Sequence, residues 1–198
     1  MDIPGLDAAL GTIWCVGRNY ADHAKELGHE PPSEPLIFVK PACAAMLSGG
    51  TLRLPADSRR VDHEAELVVA RARDGSLRMA VGVDFTARDL QAAAKKRGDP
   101  WTDAKGRPGF AALGNFVPLR LPTRVRLSVN GAARQDASTA DMIFAVERLL
   151  AHLDSRFGLR PGDVVYTGTP AGVAPVAAGD RVSALLGEGE SRLSILVA

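Results

Sequence analysis

Short runs of apolar and β-branched residues, separated by glycines and prolines, recur along the whole chain and favour a mainly-β fold. In one of these runs Val125, Leu127 and Val129 alternate with polar residues, as they do in a half-buried strand. Asn130-Gly131 follows at once, and this pair favours the positive φ angles of a tight hairpin turn. The same reasoning predicts further strands at residues 13–16, 36–40, 51–54, 61–70, 79–84, 164–167, 182–186 and 193–197.

Helical patterns are few, and they occur at residues 20–27, 86–97 and 140–153. The last pattern is the strongest, because its apolar side chains recur three and four residues apart and would bury one helix face. Ser138 or Thr139 is expected to cap that helix, Asn19 to cap the first, and Gly98 to end the second. A chain of 198 residues is long enough for one sizeable core, so we expect a single domain over residues 1–198, mainly β with a few helices (α+β).

Charge and cysteine content exclude several classes of function. The formal net charge of +1 provides no electrostatic basis for binding nucleic acid or an anionic membrane. Cys15 and Cys43 form neither a disulfide framework nor a metal motif, and we expect both to be buried, reduced thiols. The chain has no signal-peptide pattern at its start and no run of ~20 apolar residues that would span a membrane. A cytoplasmic location is therefore expected.

Two carboxylates lie two residues apart, at Glu64 and Glu66, at the start of an apolar strand. Side chains alternate along a strand, so both carboxylates point the same way and repel each other unless a cation or proton lies between them. With Asp84 they form a candidate site for Mg²⁺ or Mn²⁺, which prefer oxygen ligands. A solvated Glu-x-Glu pair is the simpler alternative, and Asp62 shares the same side of the strand. His63 points the opposite way and is expected to be a hydrogen-bonded structural histidine.

His23 and Glu26 are three residues apart on the first predicted helix, so they are neighbours on one face. A carboxylate beside an imidazole raises its basicity and can make it a general base for water. An incidental surface ion pair is the alternative.

The segment after Asp84 contains several groups that could bind an anionic ligand. Arg88 and Gln91 are three apart on the second helix and can reach one ligand together, while Lys105 could stabilise a developing oxyanion. Asp89 could instead hold Arg88 in a structural role. Near the C-terminus, glycines and a proline around Thr169 suggest a close backbone approach, although the segment is not a phosphate-binding P-loop.

Taken together, the motifs resemble the fumarylacetoacetate hydrolase family from about residue 13 to the C-terminus. In chain order they are GRNYADHAKE, EPLIFVKP, HEAELVV, DFTARDLQ, PWTDAKG, VNG…Q, MIF and GD…TGTPAGV. The length is similar to that of the small acylpyruvate hydrolase and oxaloacetate decarboxylase branch. The chain departs from the usual family residues at Arg107-Pro108-Gly109 and at Ala112, which leaves the substrate open.

The resemblance implies a β-sandwich-like roll, a homodimer and a role for each candidate residue. The implied metal ligands are Glu64, Glu66 and Asp84, and the implied catalytic residues are His23, Glu26 and Lys105. Arg88, Gln91 and Thr169 match substrate-contact positions of the family.

The leading functional hypothesis is Mg²⁺- or Mn²⁺-dependent hydrolysis of a carbon–carbon bond in a 2,4-dioxo acid through a pyruvate enolate. Decarboxylation or tautomerisation of oxaloacetate, or isomerisation or decarboxylation of an aromatic-degradation intermediate, would use the same enolate. An oxo-acid-binding protein without turnover is the alternative outside the enzymes.

Overall fold

Strands make up much of the chain, and the predicted mainly-β architecture with a few helices is confirmed. The computed structural model describes residues 1–21 and 32–198. In these residues the strands are β1 (Ile13–Gly17), β2 (Leu36–Lys40), β3 (Ala45–Leu47), β4 (Thr51–Leu52), β5 (Val61–His63), β6 (Ala65–Arg71), β7 (Leu77–Asp84), β8 (Thr86–Ala87), β9 (Ala111–Leu113), β10 (Val117–Pro118), β11 (Arg124–Val129), β12 (Ala132–Ser138), β13 (Val164–Tyr166), β14 (Ala174–Val176), β15 (Arg181–Leu186) and β16 (Ser191–Val197). The helices are α1 (Arg88–Arg97), α2 (Thr102–Lys105) and α3 (Val146–Phe157), with 3-10 turns at Ala42–Ala44 and Thr139–Asp141.

These strands form an eight-stranded, a five-stranded and a three-stranded sheet. The largest has the order β2-β1-β13-β6-β7-β9-β3, with β10 paired to β7, and the second has the order β12-β11-β15-β16-β4. The main core lies between these two sheets, where Leu67 and Val81 of the first pack in one cluster with Leu127 and Ile195 of the second. Val68, on the opposite face of β6, belongs to a second apolar cluster. Because both faces of β6 are covered, residues 67–70 of this strand are all apolar rather than alternating.

The predicted continuous strand at residues 61–70 is wrong in one respect, because it breaks at Glu64. Val61–His63 belongs to the three-stranded sheet β14-β5-β8, whereas Ala65–Arg71 belongs to the eight-stranded sheet. Glu64 therefore lies at the junction of two sheets, where its side chain can reach groups from both.

Both helix starts also differ from the sequence prediction. The helix α1 begins at Arg88 because Thr86–Ala87 pairs with Val61 and Asp62 as a short strand. The helix α3 begins at Val146 and ends at Phe157, later than the predicted range 140–153. Its predicted first turn is a separate 3-10 turn capped by the Ser138 hydroxyl.

The remaining predictions concern turns, thiols and the first helix. The turn at Asn130 and Gly131 is confirmed, with φ angles of 53° and 81°. Cys15 is buried as expected, but Cys43 is exposed, so the expectation of two buried thiols is wrong for Cys43. The predicted helix at 20–27 lies almost entirely outside the described residues. In the described part of the chain, no helix has the length and apolar character needed to cross a membrane.

Asn19 ties the end of β1 to two distant segments. Its fully buried amide donates to the carbonyls of Phe144 and Thr167, at 3.0 and 2.8 Å, and accepts from the Phe144 N–H at 2.7 Å. These bonds join the segment before α3 to the segment after β13, so Asn19 holds the start of the glycine-rich segment around Thr169 in place.

We expect Asn19→Ala to lower the free energy of unfolding by about 2–4 kcal/mol, since it leaves buried backbone groups without partners. Chemical denaturation measures this directly. The matched control is Asn115→Ala, because that half-buried amide makes two bonds of 3.1 Å and should cost less. Equal losses from the two variants would contradict the role assigned to Asn19.

Candidate active site

Three buried carboxylates meet where β6 begins and β7 ends. Glu64, Glu66 and Asp84 are 5%, 1% and 1% exposed, and each offers an oxygen within 4.8 Å of the others. Antiparallel pairing of β6 with β7 places the end of β7 beside the start of β6, and the Asp84 N–H donates to the Glu64 carbonyl at 2.8 Å. The convergence predicted from sequence is therefore present, and this set of oxygen donors could hold a divalent metal ion.

Two of these carboxylates are paired with basic side chains. Lys105 Nζ, from the end of α2, donates to Glu64 Oε2 at 2.8 Å and to Asp84 Oδ2 at 2.5 Å. Arg88 Nη2 donates to Glu64 Oε1, and Lys40 Nζ lies 2.5 Å from Asp84 Oδ1. Burial alone would raise the pKa of Glu64, but the charges of Lys105 and Arg88 outweigh it and hold that pKa well below its usual range.

Lys105 is correspondingly held in its charged form. Burial favours the neutral amine, but Asp84 and Glu64 outweigh this effect and raise the pKa of Lys105. The side chain therefore carries a positive charge at neutral pH and acts as a hydrogen-bond donor.

Glu66 has a different environment from the other two carboxylates. Its Oε2 accepts from the Gly168 N–H at 2.7 Å, and in the described ranges no basic side chain forms an ion pair with it. Burial, together with the charges of Asp84 and Glu64, raises the pKa of Glu66 well above its usual range. A cation between the three carboxylates would be the positively charged partner that Glu66 lacks, so the donor set fits Mg²⁺ or Mn²⁺.

Arg88 links the metal-ligand candidates to the rest of the pocket. Its Nε donates to Asp62 at 2.8 Å, and its Nη1 donates to Gln91 Oε1 at 2.8 Å. Asp62, which the strand pattern left open as a ligand, is instead paired with Arg88 and with Arg60. Asp89, the alternative partner considered for Arg88, bonds to Ser58 and to the Arg59 N–H.

The segment after β13 contacts the same site through its backbone and one hydroxyl. Gly168 has a φ of 101°, and a Cβ there would lie 2.6 Å from the Cβ of Asn19, so only glycine fits. Thr169 Oγ1 donates to the Ala65 carbonyl at 2.9 Å, between the two glutamates in sequence. The close backbone approach predicted around Thr169 is therefore found.

One cavity is lined by all the site residues that were predicted from the sequence and that lie in the described ranges. Glu64, Glu66, Asp84 and Lys105 line it, as do Arg88, Gln91 and Thr169. Its remaining walls are Val16, Gly17, Arg18, Leu36, Phe38, Lys95 and Trp101. His23 and Glu26 lie outside the described residues, so their proposed pairing stays a prediction.

Sequence reasoning assigned no role to two buried residues that support this site. Lys40 is buried and forms an ion pair with Asp84. Its Nζ also donates to the carbonyls of Phe85 and Phe110 at 3.0 and 2.6 Å. Gln135, on β12, accepts from the Ala65 N–H at 3.0 Å and donates to Thr169 Oγ1 at 2.8 Å. Its oxygen also lies 3.1 Å from His63 Nδ1, which agrees with the structural role expected for His63. The only sequence signal for Gln135 was its place in the VNG…Q pattern.

Gln135 is therefore a positioning residue, because it holds both neighbours of Glu64 and the Thr169 hydroxyl. We expect Gln135→Leu to weaken Mn²⁺ binding roughly tenfold, within the range found when the groups that orient metal ligands are removed. Calorimetric titration of Gln135→Leu and Gln135→Glu against the wild type tests this. A purely structural role would lower thermal stability without changing Mn²⁺ affinity, and that result would contradict the assignment.

Comparison with known proteins shows which family this chain resembles. The model of the fumarylacetoacetate hydrolase C-terminal domain matches residues 12–194. A mitochondrial oxaloacetate tautomerase of Arabidopsis thaliana is 44% identical over 87% of this chain and 84% of its own length. An oxaloacetate tautomerase of Escherichia coli is 40% identical, over 90% and 89% respectively. The crystal structure of fumarylpyruvate hydrolase from Pseudomonas aeruginosa, in complex with Mn²⁺ and pyruvate, is similar with a TM-score of 0.90 and 34% identity, covering 99% of this chain and 94% of that one.

Proposed function

Because the chain belongs to the fumarylacetoacetate hydrolase family of enzymes, we propose that it catalyses a metal-dependent reaction of small 2-oxo acids through an enol or enolate. The observation that carries this proposal is the convergence of Glu64, Glu66 and Asp84 in a cavity that Lys105 and Arg88 also line, with Lys105 paired to Glu64 and Asp84. A cation site beside cationic side chains suits an anionic substrate that also offers a carbonyl oxygen.

Glu64, Glu66 and Asp84 would hold the Mg²⁺ or Mn²⁺ ion. When bound, such an ion polarises a carbonyl and stabilises negative charge on its oxygen. A cation placed among the carboxylates would also compete with Lys105 for Glu64 and Asp84. The ammonium of Lys105 would then be able to donate a hydrogen bond to the developing enolate oxygen.

Arg88 and Gln91 would orient the substrate carboxylate. Arg88 is held from two sides, by Asp62 and by Glu64, and its third partner is the Gln91 amide. The pair therefore offers a fixed guanidinium and an amide on one helix face, which suits a planar carboxylate. Thr169, from the segment after β13, lines the same cavity.

Keto–enol tautomerisation of oxaloacetate is the first candidate reaction. It moves a proton between carbon and oxygen and needs no attacking water, so it depends on the enolate-stabilising groups just described. Its support comes from the relatives at 44% and 40% identity, both of which are oxaloacetate tautomerases.

Hydrolysis of a carbon–carbon bond in a 2,4-dioxo acid is the second candidate. Its support is the similarity to fumarylpyruvate hydrolase and the His23–Glu26 pair in the sequence. In that reaction His23, oriented by Glu26, would take a proton from the attacking water, and cleavage would leave a pyruvate enolate beside Lys105.

A substrate panel tests the proposal and separates the two candidates. Purified protein would be assayed with oxaloacetate, acetylpyruvate and fumarylpyruvate, each with Mg²⁺, with Mn²⁺ and after chelation. Loss of the oxaloacetate enol absorbance faster than in buffer identifies tautomerisation, and pyruvate release distinguishes decarboxylation or cleavage. Binding of these acids without any turnover would favour the oxo-acid-binding alternative. The homodimer stays a prediction from the family resemblance.

A further inference from the structure

The active-site cavity and a separate surface groove share one wall. Leu36, Phe38 and Trp101 line the cavity, and the same three residues line the groove, whose other walls come from β2 and residues 99–102. We propose that Phe38 and Trp101 form an aromatic partition that determines substrate specificity, because it closes the cavity towards the groove and limits the chain length of the 2-oxo acid. The inference rests on the proposed function, since it assumes a 2-oxo acid bound at the carboxylate cluster.

The aromatic partition begins one side chain away from the carboxylate cluster. Lys105 Nζ donates to Glu64 at 2.8 Å and to Asp84 at 2.5 Å. The same Nζ atom lies 5.0 Å from the centroid of the Phe38 ring, and the centroids of Phe38 and Trp101 are 5.5 Å apart. From the cluster, the wall therefore continues through Lys105 to Phe38 and then to Trp101.

Both rings are attached to backbone that regular hydrogen bonds hold in place. Phe38 lies in β2 and pairs with Cys15 of β1, and its side chain shares a strand face with that of Leu36, two residues earlier. The Trp101 carbonyl accepts from the Lys105 N–H at 2.9 Å, so Trp101 is joined to the start of α2, whose end carries Lys105. The partition is therefore a fixed boundary of the cavity.

The larger space lies beyond the aromatic partition. The volume of the groove is about 330 Å³, whereas that of the active-site cavity is about 40 Å³ with Lys105 bonded to the carboxylates. Ile37, Val39 and Pro100 give the groove apolar walls. An alkyl chain that reached them would bind roughly fourfold more tightly for each methylene group that it buried. The partition withholds that gain from long substrates.

Two 2-oxo acids of different length test the aromatic partition. Pyruvate and 2-oxooctanoate share the 2-oxo carboxylate and differ only in the length of the alkyl chain. Calorimetric titration of the Mn²⁺-loaded protein would measure the dissociation constant of each. For the wild type we expect 2-oxooctanoate to bind no more tightly than pyruvate. Binding of the long acid that is about tenfold tighter or more would show that the chain already passes the wall, and would refute the partition.

Phe38→Ala and Trp101→Ala each remove one ring of the aromatic partition and should let the long chain enter the groove. We expect each variant to lower the ratio of the 2-oxooctanoate dissociation constant to the pyruvate dissociation constant about tenfold, as roughly two newly buried methylene groups would provide. Phe157→Ala is the matched control, because Phe157 is an exposed aromatic residue that lines neither space and should retain the wild-type ratio. Either partition variant is sufficient, so loss of the fold in one leaves the other to decide.

A double variant shows where the added chain lies. Val39 is 45% exposed and lines the groove but not the cavity, so Val39→Asp alone should retain the wild-type ratio. Combined with Phe38→Ala, it places in the groove a carboxylate that an alkyl chain could only desolvate at a cost. The ratio should then return to the wild-type value. If the double variant retains the gain of Phe38→Ala, the chain does not enter the groove and the partition is refuted.

Pyruvate separates failure of the aromatic partition from failure of the proposed function. If pyruvate binds to the Mn²⁺-loaded wild type but Phe38→Ala and Trp101→Ala both retain the wild-type ratio, the partition is refuted and the proposed function survives. If pyruvate does not bind to the Mn²⁺-loaded wild type, the proposed function and the partition fail together.

Discussion

Glu66→Ala is expected to abolish Mn²⁺ binding and, with it, turnover of every 2-oxo acid substrate. Glu66 is the one carboxylate of the three that has no basic partner among residues 1–21 and 32–198. Removing it leaves only Glu64 and Asp84, both of which are already bonded to Lys105. A hard divalent ion would then have too few anionic oxygens to displace that lysine.

Calorimetric titration measures the loss of Mn²⁺ binding. In the activity assay, chelation of the wild-type protein should abolish turnover as the substitution does. Glu66→Gln is a second variant that keeps the side-chain size and an oxygen able to accept from Gly168. Glu147→Ala is the control, because Glu147 is an exposed carboxylate in the first turn of α3 and should bind Mn²⁺ like the wild type. Full turnover after exhaustive metal removal, or Mn²⁺ titration of Glu66→Ala that matches the wild type, would refute the metal site.

The fold should survive these substitutions. Glu66 is buried among like charges, so its removal relieves repulsion while it leaves the Gly168 N–H unpaired. The two effects oppose each other, and we expect a small change in melting temperature in the absence of metal. Thermal unfolding of the variants without Mn²⁺ provides that comparison.

His23→Ala should lower the rate of carbon–carbon hydrolysis by ~10²–10⁴-fold, the usual effect of removing a general base. Binding of Mn²⁺ and of oxalate should be retained, because Glu64, Glu66, Asp84 and Arg88 are the proposed groups for both. Tautomerisation of oxaloacetate needs no attacking water, so its rate should fall far less. The ratio of the two activities in the variant therefore separates the candidate reactions.

His152→Ala is the matched control for this substitution. His152 is on α3, does not line the active-site cavity, and should leave both activities unchanged. If acylpyruvate cleavage continues near the wild-type rate in His23→Ala, the His23–Glu26 pair has no role in water activation. The hydrolytic mechanism would then be wrong, whereas the metal site would be unaffected.

Local sequence pattern was sufficient for many of the strands, for the hairpin turn and for part of the site. The alternation around Leu127 and the Asn130-Gly131 pair depends on backbone preferences of adjacent residues, and both were confirmed. The common direction of Glu64 and Glu66 likewise depends on the two-residue period of an extended chain. Although the strand breaks at Glu64, both carboxylates reach the same cluster.

Tertiary structure alone decided which distant groups complete the site and where some elements begin. Asp84 meets Glu64 through the register of β6 with β7, and Lys40 meets Asp84 across 44 positions of sequence. Likewise α3 starts late because Met142 pairs with Tyr20 and the Ile143 N–H donates to the Asn19 carbonyl.

The same division explains Cys43, whose neighbours in sequence are apolar but which is exposed in the fold. Strand period and turn type depend on covalent neighbours and steric limits within a few residues, so they can be inferred from the sequence. Burial and charge pairing depend on which segments pack together, and those segments are brought together by the hydrophobic core rather than by the local chain.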